Sequence, residues 1–118
     1  MSAREHDYAD CLPGTWLGER LGGNPSRVEA LRREGELIAV RRPGSTEWLY
    51  PAWQFDGWNP RPGVARIVAA ARDEGLDEAA LYDLLTTPLG MRAHDRSRLA
   101  DLLANGREDE VVAAVRGR

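Results

Sequence analysis

Five arginines, Arg27, Arg32, Arg33, Arg41 and Arg42, fall between residues 24 and 42 of a 118-residue chain whose formal net charge is −3. The guanidinium group is always charged. Its planar fork makes paired hydrogen bonds to a phosphate or to the acceptor edge of guanine. Asn24 and Ser26, beside Arg27, carry short polar side chains able to donate to phosphates. The chemistry these residue types offer is anion recognition. The overall acidity excludes a nonspecific cationic coat, so the basic footprint must be local.

Bond-making chemistry has little to draw on. Cys11 is the one cysteine, which excludes an internal disulfide and a thiolate zinc cluster; it reads as a small apolar filler. His6 and His94 have no metal-ligand neighbour at helical spacing and read as surface or capping residues. The pairs Asp73-Glu74 and Asp77-Glu78 are adjacent, so on a helix they diverge by about 100° and do not converge on one point. The chain has no phosphate loop, no nucleophile-histidine pattern and no zinc motif. The expectation is a non-enzyme without a cofactor.

The arginines need elements to aim them. In "TWLGERLGG", Trp16, Leu17 and Leu21 have helical spacing, Thr15 suits the N-cap, and Gly22-Gly23 is a stop. Asn24 or Ser26 can cap the next helix, with Pro25 in its first turn. In "SRVEALRREG", Val28 and Leu31 turn inward together, which leaves Arg27, Ala30 and Arg33 outward. Gly35 accepts the left-handed backbone at C′. "ELIAVR" and "EWLYPA", split by "RPGST", read as a β-hairpin with Arg41 and Arg42 near its tip. Two helices and a hairpin in this order form a winged helix-turn-helix, whose second helix enters the DNA major groove. Trp16, Trp48, Trp53, Trp58, Tyr50 and Phe55 crowd this half and read as core and seam, with Trp48 close to the hairpin tip. Glu29, Glu34 and Glu36 stand among the arginines as candidate ion-pair partners.

"DGWNPRPG", residues 56–63, reads as a linker. Four short helices follow, with apolar stripes Val64/Ile67/Val68/Ala71, Leu81/Leu84/Leu85, Leu99/Leu102/Leu103 and Val111/Val112/Val115. Each is too short to be stable alone, so they must pack together. The division is a polar arm over 1–14, a winged helix-turn-helix over 15–58 and a helical domain over 59–118. The fold class is mainly α with a small β-hairpin wing.

"WLGERLGGNPSRVEALRREGELIAVR", followed by "WLYPAWQF", resembles the excisionase- and MerR-like winged-helix family. That family has a helix, a short turn, a helix with an exposed basic face and "R-x-G-x-L-x-A-x-R" leading into the wing. Glu34 stands here in place of its basic residue before Gly35. "LYDLLTTPLGMRAHDRSRLADLLANGREDEVVAAVRGR" resembles the toxin-binding helical domain of small bacterial antitoxins of the Xre/MbcA/ParS type, with "LGMRAHDRS" replacing that family's "LGGRTP" loop. The resemblance implies operator binding by the N-terminal part, for which the helix-turn-helix geometry offers Asn24, Ser26, Arg27, Ala30 and Arg33 on and before the second helix and Arg41 and Arg42 on the wing. It implies a homodimer built by the C-terminal helices and a RES-domain toxin, an enzyme acting on NAD, as partner. Arg116 and Arg118 lie at the end that in such antitoxins reaches the toxin cleft.

The expected function is therefore a DNA-binding transcriptional regulator, an autoregulatory antitoxin of a toxin-antitoxin pair. Two rivals stand beside it: a protein-interaction module that has kept the fold without binding DNA, and an excisionase-like architectural factor. No apolar run approaches the roughly 18 residues of a membrane span, and residues 1–16 lack a signal-peptide core. The expected location is the cytoplasm.

Overall fold

A computed structural model describes residues 8, 10–20, 25–57, 59–88 and 98–117. Within them the chain is mainly helical with a small antiparallel sheet. Strand β1 (Cys11–Pro13) leads into helix α1 (Gly14–Arg20), and helix α2 is Pro25–Arg33. Strands β2 (Val40–Arg41) and β3 (Trp48–Pro51) form the hairpin, and a 3-10 turn covers Ala52–Gln54. Strands β4 (Phe55–Asp56) and β5 (Asn59–Pro60) come next. Helices α3 (Val64–Asp73), α4 (Glu78–Thr86), α5 (Leu99–Ala104) and α6 (Glu108–Arg116) complete the order.

Two expectations are corrected here. The polar arm is not wholly an arm: Cys11–Pro13 pairs antiparallel with β3, so the sheet order is β1-β3-β2. Residues 56–63 are not only a linker, since Phe55 faces Pro60 and Asp56 faces Asn59 in a second antiparallel pair. Helix α1 starts at Gly14, one residue ahead of the expected Thr15 cap. The "ELIAVR" strand contributes only Val40 and Arg41 to the ladder.

The rest of that segment is used differently. Leu37, Ile38, Ala39 and Val40 are all buried. Leu37 and Ala39 join Leu17, Val28, Tyr50 and Phe55, while Ile38 joins the core of α3–α6. Successive side chains of extended backbone point to opposite faces, so one short stretch serves two cores. The Gln54 side chain, 0 % exposed, supports it. Its Oε1 accepts from the Ile38 N–H at 2.7 Å, and its Nε2 donates to Ile38 O at 2.7 Å and Pro51 O at 3.1 Å. A carboxamide supplies both a donor and an acceptor, which is what an unladdered buried backbone requires.

The helical stripes fall where their spacing places them. Val64, Ile67, Val68 and Ala71 are buried, with Leu81, Leu85, Leu99, Leu103, Val111 and Val115. Leu84, Leu102 and Val112 pack at the margin of this core. Asp77 caps α4, its carboxylate accepting from the Ala80 N–H at 2.8 Å. No helix among the described residues is long and apolar enough to cross a membrane.

Candidate nucleic-acid interface

Helix α2 is held by Val28, 1 % exposed, and by Leu31 at the margin of the same cluster. Ser26, Arg27, Ala30 and Arg33 are exposed, as the helical period requires. The helix ends cleanly. Gly35 has φ +79°, the Gly35 N–H bonds Arg32 O at 3.1 Å, and the Glu36 N–H bonds Leu31 O at 2.9 Å. These are the paired bonds of a left-handed C-terminal turn, and they satisfy carbonyls that would otherwise be orphaned.

Glu29 sits among the arginines and pairs with two of them. Its Oε1 accepts from Arg33 Nη2 at 2.6 Å and lies 3.6 Å from Arg32 Nη2. Arg27 is in no ion pair among the described residues. The exposed basic face of α2 is thus graded, with Arg27 uncommitted and Arg33, nearly two turns on, engaged.

Trp48 links this helix to the hairpin. The Arg32 guanidinium lies 4.3 Å from the Trp48 ring centroid and the Arg41 guanidinium 4.5 Å. Arg41 and Trp48 are cross-strand partners in the β2–β3 register, which sets their side chains side by side. Both cation–π distances are well inside the attractive range. Arg32 is mostly buried, and its Nε–H is a buried donor without a hydrogen-bond partner. Burial pushes the Tyr50 hydroxyl above its ordinary pKa, and the Arg32 guanidinium bonded to it pulls the other way.

Arg41 and Arg42 are both exposed. Arg42 lies 5.7 Å over the ring of Tyr8, which packs with Val40, Leu49 and Tyr82. The segment ahead of β1 therefore touches the hairpin, a contact that sequence spacing does not reveal. Asn24 and Arg118 lie outside the described residues, as does the "LGMRAHDRS" loop. Arg116 is bonded to Asp73 of α3 at 3.2 Å. Of the expected DNA-contacting residues, the structure brings Ser26, Arg27, Ala30 and Arg33 to one helix face. Trp48 joins that helix to Arg41.

A second polar cluster lies away from this face. Asp10 accepts from the Tyr82 hydroxyl at 2.6 Å and from the Trp53 indole N–H at 2.9 Å, with Cys11 Sγ at 3.5 Å. Burial, reinforced by the neighbouring Asp10 carboxylate, raises the Cys11 thiol to about 12. Burial also raises the Tyr82 hydroxyl. A thiol kept protonated is a poor nucleophile, so the cluster works as a fastening between β1, the 3-10 turn and α4. Among the described residues no group of three or more His, Cys, Asp or Glu side chains is placed to hold a metal ion.

No protein-family description and no curated protein sequence matches the chain. Among solved structures the chain is similar to the NMR structure of Rv2175c, with a TM-score of 0.81 at 24 % sequence identity. That match covers 96 % of this chain and 83 % of the other. The likeness is one of fold, and it extends through both the hairpin half and the helical half.

Proposed function

We propose that this protein binds double-stranded DNA as a winged helix-turn-helix, with α2 in the major groove and the β2–β3 wing on the adjoining backbone. The observation that carries the reading is the Trp48 ring flanked by Arg32 of α2 and Arg41 of the wing. It makes one basic surface of two elements that a reader of this kind uses together. Arg27 and Arg33 supply base or phosphate contacts from the helix, and Arg41 and Arg42 supply phosphate contacts from the wing. Asn24 and Ser26 serve the phosphates at the start of the helix.

On this reading the protein is a transcriptional regulator. The resemblance of its C-terminal helices supports the narrower role of an autoregulatory, homodimeric antitoxin to a RES-type toxin. Arg116 would have to leave Asp73 to enter a toxin cleft.

The test is fluorescence anisotropy with the duplex upstream of the protein's own gene against an unrelated duplex, over a salt series. Four phosphate-contacting arginines per chain give a slope of log K on log salt of about −3 to −4. Arg27→Ala lowers that slope by about one if Arg27 meets a phosphate, or costs about 1–3 kcal/mol on the preferred duplex alone if it reads a base. Absence of binding at low salt overturns the reading and favours the protein-interaction module.

A further inference from the structure

A groove of about 310 Å³ opens between the C-terminal end of α2, Trp48 of β3 and the turn joining α3 to α4. Its lining includes the buried side chains of Ile38, Ala39, Val68 and Ala71 and the half-buried Trp48 and Leu76. Three guanidiniums line it as well, from Arg32, Arg33 and Arg72, together with the carboxylates of Asp77 and Glu78. An apolar lining of this size with a few convergent charges is the usual composition of a small-molecule site.

The charges differ in how far they are already used. Arg33 is bonded to Glu29, and Asp77 caps α4. Glu78 lies in the first turn of α4, where the helix dipole offsets its charge. Two donors are left over, the Arg72 fork and one N–H of Arg32, whose guanidinium is otherwise engaged by Glu29 and the Trp48 ring. The Arg72 guanidinium is in no ion pair among the described residues, and the Arg32 Nε–H is buried without an acceptor. Arg72 lies across the C′ glycine of α2, where a Cβ on Gly35 would stand 2.8 Å from its Nη1. That placement brings Arg72 to the end of α2 that carries Arg32 and Arg33. The carbonyls of Ala30, Leu31 and Arg32 are taken by the helix-ending turn, so they do not neutralise the guanidiniums.

We propose that this groove binds a small molecule with an apolar, planar body and one anionic group of the carboxylate class. The anion is received by Arg72, with Arg32 on the groove wall adding positive charge, and the body lies along Ile38, Ala71, Leu76 and Trp48. A carboxylate pairs with the fork of Arg72, and the Arg32 guanidinium on the groove wall adds positive charge while its Nε–H stays enclosed by protein. The groove adjoins the proposed DNA-reading face: Arg33 lines it from that face, and Trp48 and Arg32 belong to the layer that supports both.

The experiment uses the 15N-labelled full chain without DNA, titrated with 2-naphthoate and, in parallel, with its neutral isostere 2-naphthamide. The expected result is saturable movement of the Ile38, Ala71 and Leu76 amides and the Trp48 indole signal, with naphthoate at least about tenfold tighter than the amide. Arg72→Ala removes that preference, Arg72→Lys restores part of it, and Glu78→Gln strengthens it. Both Arg72 and Glu78 are exposed, so these variants read the site and not the fold. Equal affinity for acid and amide, shifts spread over other faces, or no saturation at millimolar probe would overturn the proposal. Because DNA is absent, each of these results is independent of the DNA-binding reading.

Discussion

Glu29 is a brake on the basic face of α2, and its removal tests the DNA-reading geometry more sharply than the loss of an arginine. Glu29→Gln keeps the size and helix propensity of the side chain while releasing Arg33, which is 71 % exposed and bonded to Glu29 at 2.6 Å. An exposed i,i+4 pair is worth about 0.3–0.5 kcal/mol, and DNA binding no longer has to break it. The variant also removes one negative charge from the surface proposed to face phosphates. At roughly 10 Å in water one carboxylate–phosphate repulsion is about 0.4 kcal/mol, reduced to about 0.1 kcal/mol by screening at about 0.15 M salt. Summed over roughly four phosphates and added to the released pair, the gain is about 0.8 kcal/mol, or about fourfold in Kd. Anisotropy on the preferred duplex at about 0.15 M salt measures it. The same change in an Arg33→Ala background yields only the repulsion part, about twofold. Glu29→Gln binding DNA no tighter than the unmodified chain would refute the placement of Arg33 at the interface. Thermal stability serves as the control, because the lost pair is too weak to move the melting point by more than about 2 °C.

The other expectations concern the frame. Gln54→Leu strips the Ile38 N–H and C=O of their side-chain partner inside the core; we expect a loss of about 2–4 kcal/mol by urea denaturation, and a loss under about 1 kcal/mol would show that Ile38 finds other partners. Gly63 has φ +93°, and a Cβ there would lie 2.6 Å from Glu108 Cγ. Gly63→Ala should therefore cost about 1–3 kcal/mol, read from a thermal melt. The Cys11 thiol rises from 9.0 to about 12 on folding. The folded chain thus binds more protons than the unfolded chain across that window, and stability falls as pH climbs through it. Cys11→Ser should flatten that part of the alkaline unfolding curve. Iodoacetamide at pH 8 should label Cys11 at least about a hundredfold faster in urea than in the folded chain, and equal rates would place the thiol outside its buried setting.

Periodicity makes the helical part legible. The stripe from Val64 to Ala71 and the Asp77 cap are local signals, and tertiary packing does not override them. The outward set on α2 is legible for the same reason, since Val28 and Leu31 fix the rotation of the helix. Short strands are less so. Cys11–Pro13 has three residues and a proline, too few to show a period of two, and it becomes a strand only because β3 is there to receive it. Asn59–Pro60 sits inside a Gly/Pro/Asn cluster whose composition reads as turn, so its pairing with Phe55–Asp56 is hidden. Leu37–Val40 shows no alternation because both of its faces are buried. Gln54 gives no sequence sign of its role, as a polar residue among aromatics is ordinarily placed at a surface. Trp48 stands out for its nearness to the hairpin tip, but its position between Arg32 and Arg41 depends on how α2 meets the wing.

The bond from Tyr82 to Asp10 closes a separation of 72 residues. During synthesis at about 5–20 residues per second, Asp10 waits roughly 4–14 s before Tyr82 exists. Helices α1 and α2 and the hairpin can form within that interval, because their contacts lie close along the chain. The first strand is received by β3 and Asp10 by the Trp53 indole, but Tyr8 and Asp10 gain the Tyr82 ring and hydroxyl only when α4 arrives. Docking of α4 onto this sheet edge is consequently a late, nonlocal event, of the kind that slows folding more than it alters final stability. A nascent chain stopped before residue 82 would carry α2 and the hairpin with β1 held by β3 and Trp53, but without the Tyr82 bond that ties them to the helical half.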